Sequence, residues 1–142
     1  MLNILNTYKC NCYAKKCKYN MCAILYNKSK IISIGCNKFI GHSNVLGKKI
    51  MLPSRHAEID VISKFINSNT KYKRQKVNLL VLRLNTNGFG NSKPCANCIR
   101  FMKSAGVLIK KVSYYENNRL ITTSLNNLHN EHTSSGWKLY YE

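Results

Sequence analysis

The sequence predicts an α/β domain: a mixed sheet of five strands with helices packed against it. Three observations carry this. Strand-like apolar runs occupy residues 21–26, 31–35, 77–82, 112–115 and 120–123. Two segments, 55–67 and 94–105, carry apolar side chains at the helical period of 3.6. The order that results, strand–strand–helix–strand–helix–strand–strand, suits a sheet covered by helices. At 142 residues the chain is expected to be one domain over 1–142, with its core at about 21–123 and a cysteine-rich N-terminal segment and a C-terminal tail at the periphery.

Taken in order, Leu2, Leu5 and Tyr8 fall at helical spacing within the first twenty residues. Residues 21–26 read as a strand, 27–30 as a turn and 31–35 as its antiparallel partner. A polar loop is expected over 37–52. From 55 to 67, Ala57, Val61, Ile62, Phe65 and Ile66 share one stripe. A basic loop, 70–76, leads into Val77-Asn78-Leu79-Leu80-Val81-Leu82, whose apolar character suits a central strand buried on both faces. Residues 86–93 form a loop with Gly88 and Gly90. Pro94 is expected to open the second helix, since its fixed φ and missing N–H suit a first turn. Cys98, Phe101, Met102 and Ala105 line one face of that helix, and Gly106 ends it. The short turn Glu116-Asn117-Asn118-Arg119 makes the last two strands antiparallel. The tail, 124–142, shows no clear period.

Composition narrows the classes. Apolar residues make up 44% of the chain, enough for a core and against disorder. No apolar run approaches the ~20 residues of a membrane span. Met1-Leu2-Asn3-Ile4-Leu5 is too short and too polar for a secretory signal, so a cytoplasmic protein without a membrane partner is expected. Lys+Arg number 23 against 5 Asp+Glu, a formal charge of +18. Two readings of that charge stay open. It marks a surface for nucleic acid, or it reflects coding bias, because Lys, Asn and Ile supply 50 of the residues and the lysines are scattered along the chain.

Seven cysteines without a secretory signal point to metal binding or catalysis rather than a disulfide framework. Cys10, Cys12, Cys17 and Cys22 follow no recognised ligand spacing and read better as small hydrophobes or thiols than as a second metal site. His42, in the loop near Asn37, reads as an ordinary surface histidine ahead of a contact to a substrate phosphate; His129 and His132 lie in the tail, where Trp137 reads as a packing residue ahead of a cap on a neighbour's active site.

The chemistry lies in His56-Ala57-Glu58 and Pro94-Cys95-Ala96-Asn97-Cys98, each at the start of a predicted helix. Cys95 and Cys98, three apart, direct both sulfurs the same way, and a helix N-terminus favours thiolate. Two thiolates and the imidazole of His56 make three ligands for Zn²⁺, leaving the fourth tetrahedral position for water, as in catalytic sites. Glu58, two residues past His56, reaches the same space without binding the metal and serves as a proton shuttle. His-x-Glu followed by Pro-Cys-x-x-Cys is a known zinc-deaminase pattern, and far more specific than either half alone.

On these residues the chain resembles the cytidine deaminase superfamily, especially its cytidine and deoxycytidylate deaminase branches, over roughly residues 21–123. Gly35-Cys36-Asn37 is similar to the family's Gly-x-Asn, and Ser92-Lys93-Pro94-Cys95 to its Ser-x-Pro-Cys stretches. The resemblance implies a three-layer cytidine-deaminase-like fold, a five-stranded mixed sheet with the zinc-binding helices on one face. It implies a hydrolase with Zn²⁺ as cofactor, acting on the cytosine ring of cytidine, deoxycytidine or dCMP to give uracil and ammonia. Asn37 is implied as a sugar contact, the Ala57 N–H as donor to the pyrimidine carbonyl, Pro94 as a further substrate contact, and a homo-oligomer as the assembly. The antiparallel last strand pair is that of free cytidine deaminases, whereas deoxycytidylate and polynucleotide members typically run the last strand parallel. Two alternatives remain: deamination within tRNA or single-stranded DNA or RNA, and an inactive deaminase fold that binds nucleic acid.

Overall fold

Strands β1 (Lys18–Asn27) and β2 (Lys30–Phe39) pair antiparallel through a two-residue turn in which Lys28 adopts φ 55°. The computed structural model describes residues 18–39, 42–45, 48–51, 54–85 and 88–131. The expected N-terminal helix and Cys10, Cys12, Cys17, His132 and Trp137 lie outside these. β3 (His42–Val45) and β4 (Lys48–Met51) form a separate hairpin, and β5 (Ser54–Arg55) pairs with the end of β2. Helix α1 (Ala57–Ile66) leads to β6 (Val77–Asn85), whose end pairs with β7 (Gly88–Phe89). Helix α2 (Ala96–Ser104), β8 (Ile109–Glu116), β9 (Arg119–Ser124) and a 3-10 turn (Leu125–Asn127) complete the described chain.

The sheet runs β5-β2-β1-β6-β8-β9, so the five expected strands are present and are widened by two-residue strands. It is mixed: β6 and β8 are parallel, joined across α2, and the other long pairs are antiparallel. β9 returns antiparallel through Asn117 and Asn118, both left-handed (φ 52° and 64°), the primed turn that matches strand twist and that asparagine tolerates.

Alternation along β6 splits the core. Leu79 and Val81 join Ala23, Leu25, Val61, Phe65, Cys98 and Met102 under the helices, while Leu80 and Leu82 face the other way with Ile24 and Tyr26. All four β6 side chains are fully buried, as a central strand buried on both faces requires.

Four expectations change. Residues 37–52 contain a hairpin rather than only a loop, because backbone pairing needs no apolar alternation. Ile66, the last residue of α1, is 41% exposed, whereas Phe65 beside it is buried. Pro94 does not open α2: Cys95 takes extended angles (φ −73°, ψ 168°) and is itself the N-cap, so Pro94 lies outside the helix. Cys36 is disulfide-bonded, which a reading of the cysteines as metal ligands and nucleophiles did not foresee. Among the described residues no helix is long and apolar enough to cross a membrane.

Candidate active site

His56 and Cys95 hold equivalent places, each the N-cap of its helix and each without a side-chain capping bond. Their carbonyls accept the first helical hydrogen bonds, from Asp60 N and Ile99 N, both at 3.0 Å. The side chains are thereby left to point away from the helix and toward each other. Cys98, one turn into α2, closes the group. His56 Nδ1 lies 3.3 Å from Cys98 Sγ and 3.6 Å from Cys95 Sγ, and one ligand atom from each residue falls within 4.8 Å of the others.

The two sulfurs share a proton unequally. The Cys98 thiol donates to Cys95, which holds Cys95 down to about 4, while donation and burial push Cys98 far above the ordinary thiol range. The hydrogen bond with Cys95 raises His56. This donor set fits zinc: two sulfurs and one imidazole nitrogen, converging at two helix N-termini, which favour negative charge.

Glu58 is 2% exposed on the first turn of α1, and its Oε1 has no hydrogen-bond partner among the described residues. Burial raises its pKa above the ordinary value, with the His56 charge opposing. His56, Glu58 and Cys95 border one cavity of about 370 Å³, within the range of small-molecule sites. Asn37, Met21, Arg83 and Lys93 line it as well, the last two bringing positive charge. Asn37 thus stands in the site, its Oδ1 accepting the Ala57 N–H at 2.7 Å. Ala57 is fully buried, and Pro94 is buried beside Cys95 without lining the cavity.

Two supporting residues escaped the sequence reading. Asp60, 2% exposed, accepts the Cys36 N–H (3.0 Å) and pairs with Lys64 (3.1 Å), tying β2 to α1 beside Asn37. Ser92 donates to the Val81 carbonyl (2.8 Å) and accepts from Tyr115 N (2.9 Å), anchoring the approach to Cys95 between β6 and β8. For Ser92 the Ser-x-Pro-Cys stretch was a signal; a lone aspartate in a helix offered none.

A mixed sheet that presents a His–Cys–Cys cluster able to hold a metal ion, with a buried carboxylate beside it, at two helix N-termini defines the protein as α/β with a candidate metal site. Residues 1–116 match the family described as the cytidine and deoxycytidylate deaminase zinc-binding region, and the chain belongs to that family. No curated protein sequence matches the chain. Two solved structures, both of dCMP deaminase from the cyanophage S-TIM5, align with a TM-score of 0.49. The apo form is 19% identical over 78% of this chain and 79% of its own; the form in complex with dCMP and dUMP is 20% identical over 78% of each.

Proposed function

We propose that this protein is a zinc-dependent hydrolytic deaminase that converts the cytosine ring of a free nucleoside or nucleotide to uracil with release of ammonia. One observation carries the reading: Glu58, buried and with its Oε1 unpartnered among the described residues, lines the same cavity as His56 and Cys95 of the His–Cys–Cys cluster. His56, Cys95 and Cys98 would hold the zinc, which when bound activates water for attack on the ring. Glu58 takes a proton at its carboxylate and passes one to the leaving amine, a role its raised pKa suits. Asn37 and the Ala57 N–H orient the substrate. Arg83 and Lys93 favour a substrate that carries phosphate, so the monophosphate should be used better than the nucleoside.

The test is ammonia release by zinc-loaded protein on cytidine, deoxycytidine, dCMP and a cytosine-containing single strand, with Glu58→Ala as control. Turnover of a small substrate that the substitution abolishes supports the proposal. Turnover of the strand alone replaces it with a polynucleotide deaminase, and silence on all four leaves deamination within tRNA or a binding module.

A further inference from the structure

The lysines that are scattered in sequence are not scattered in space. Both helices start at the catalytic end of the molecule, so their C-termini, the starts of β6 and β8 and the β1–β2 turn all lie at the other end. Lys28 and Lys30 flank that turn, and Lys71, Lys73, Arg74 and Lys76 fill the loop entering β6; all are exposed. Asn27 Nδ2 donates to the Lys76 carbonyl at 3.1 Å, joining turn and loop. Lys110 and Lys111 continue the row at the start of β8, whose Ile109 lies opposite Val77.

The described carboxylates lie elsewhere. Glu58 and Asp60 are buried in the first turn of α1, and Glu116 ends β8 at the catalytic end. Glu131 follows Asn130, whose side chain bonds the Pro94 carbonyl beside Cys95. The distal cations therefore face one another with no anion among the described residues between them, an arrangement of mutual repulsion.

Two of these cations are also held in place. Lys30 and Lys71 lie 5.7 Å and 5.4 Å from the centre of the Tyr72 ring, so cation–π contacts fix ammonium groups from two separate elements at one spot. Strands β2, β1, β6 and β8 are neighbours in that order. At about 4.8 Å per step, the row is roughly 14 Å long. Tyr72 itself is half-buried against the core, so what the row offers is cationic charge spread over four neighbouring strand starts, which matches the phosphate backbone of a single strand.

We infer that the end of the sheet opposite the catalytic cavity is a docking surface for the backbone of single-stranded nucleic acid, contacted through the 70–76 loop and the adjoining strand starts. The surface is separate from the cavity, so the inference stands or falls apart from the deaminase reading. An oligothymidylate is the fitting probe, because it contains no cytosine.

The experiment is fluorescence anisotropy of a labelled 12-nucleotide oligothymidylate with the full chain, from 25 to 200 mM salt. Three to four phosphate contacts predict a slope of about −2 to −3 in log affinity against log salt. Arg74→Glu, in the distal loop, should lose at least about fivefold in affinity, whereas Arg119→Glu, which removes the same charge at the catalytic end, should lose less than twofold. Deamination of free substrate should be the same in both variants and the parent. Equal losses in the two variants would assign binding to net charge and overturn the inference, as would undetectable binding at 25 mM salt. Stronger capture by phosphatidylserine vesicles than by the oligonucleotide at equal phosphate would overturn it in favour of a membrane surface.

Discussion

The carboxamide oxygen of Asn37 accepts the backbone N–H of Ala57 across 2.7 Å, joining β2 to the first residue of α1. His56 makes no side-chain capping bond, so a neighbouring strand satisfies a helix donor that the N-cap does not. These are the groups that family resemblance directs to the sugar and to the pyrimidine carbonyl, so a substrate using both must displace the bond between them. Asn37→Ala should therefore lower stability by about 1 kcal/mol and raise KM more than it lowers kcat. Thermal unfolding and steady-state kinetics check this; an unchanged KM would remove Asn37 from binding.

Gly35 lies two residues before Asn37, where β2 runs closest to α1. A Cβ there would stand 2.5 Å from the Ala57 carbonyl oxygen and 2.7 Å from Val61 Cβ. Helix backbone cannot rotate aside, so Gly35→Ala must push strand and helix apart. A loss of about 2–3 kcal/mol is expected, with weakened substrate binding because Asn37 moves with the strand. Denaturant unfolding decides it, and a wild-type midpoint would show that the two elements can separate freely.

Periodicity made the core legible: β6 is an unbroken apolar run and α1 carries Val61, Ile62 and Phe65 at helical spacing. The His–Cys–Cys cluster was legible because the chemistry that would hold a metal confines it to few residue types at short spacings. What remained hidden is polar and long-range. Asp60 reaches a strand 24 residues away, Ser92 bridges strands on both sides of it, and Asn37 caps a helix 20 residues on. Such contacts leave no periodic trace. The distal row of cations was hidden for the same reason, since the fold gathers it from three separate segments.

Ser92 is 2% exposed and satisfies two strands at once through one hydroxyl. Ser92→Ala would leave the Val81 carbonyl and the Tyr115 N–H without their side-chain partner, at a cost of about 1–3 kcal/mol. Because Cys95 follows three residues later, the variant should also bind zinc more weakly. Unfolding curves with and without excess zinc measure both effects; a loss of stability with unaltered zinc affinity would confine Ser92 to the sheet.

Metal binding should be strongly pH-dependent. Cys95 is already a thiolate at neutral pH, with its pKa held at about 4, but Cys98 keeps its proton because it donates to Cys95 and is buried. Zinc must displace that proton, and below the raised pKa of His56 it must displace a second one. Apparent affinity should thus rise about tenfold per pH unit in the alkaline range, where one proton is released, and more steeply in acid. Chelator competition between pH 6 and 8.5 gives the slope, and affinity that does not vary with pH would contradict the ligand assignment. Cys98→Ala should bind zinc at least about a hundredfold more weakly.

In the proposed mechanism Glu58 sets function against stability. Its pKa is raised from an ordinary value of 4.5, chiefly by burial, so the folded state binds its proton more tightly than the unfolded chain does. The sign follows: stability of the metal-free protein is greatest below the ordinary value and falls as pH rises through the raised one. Glu58→Gln keeps the shape and removes the buried charge. In the metal-free protein it should therefore be more stable than the parent at pH 7.5 by about 1–3 kcal/mol, seen as several degrees in Tm. The gap should close by pH 4, where both side chains are neutral. The same variant should retain zinc and lose about 10²–10⁴-fold in kcat, because an amide cannot move the proton. Thermal scans of the metal-free proteins at both pH values, with turnover measured after zinc loading, test the two halves separately. A variant that is less stable than the parent at pH 7.5 would mean that Glu58 is held by a partner that favours its charge, and wild-type turnover would take it out of the reaction.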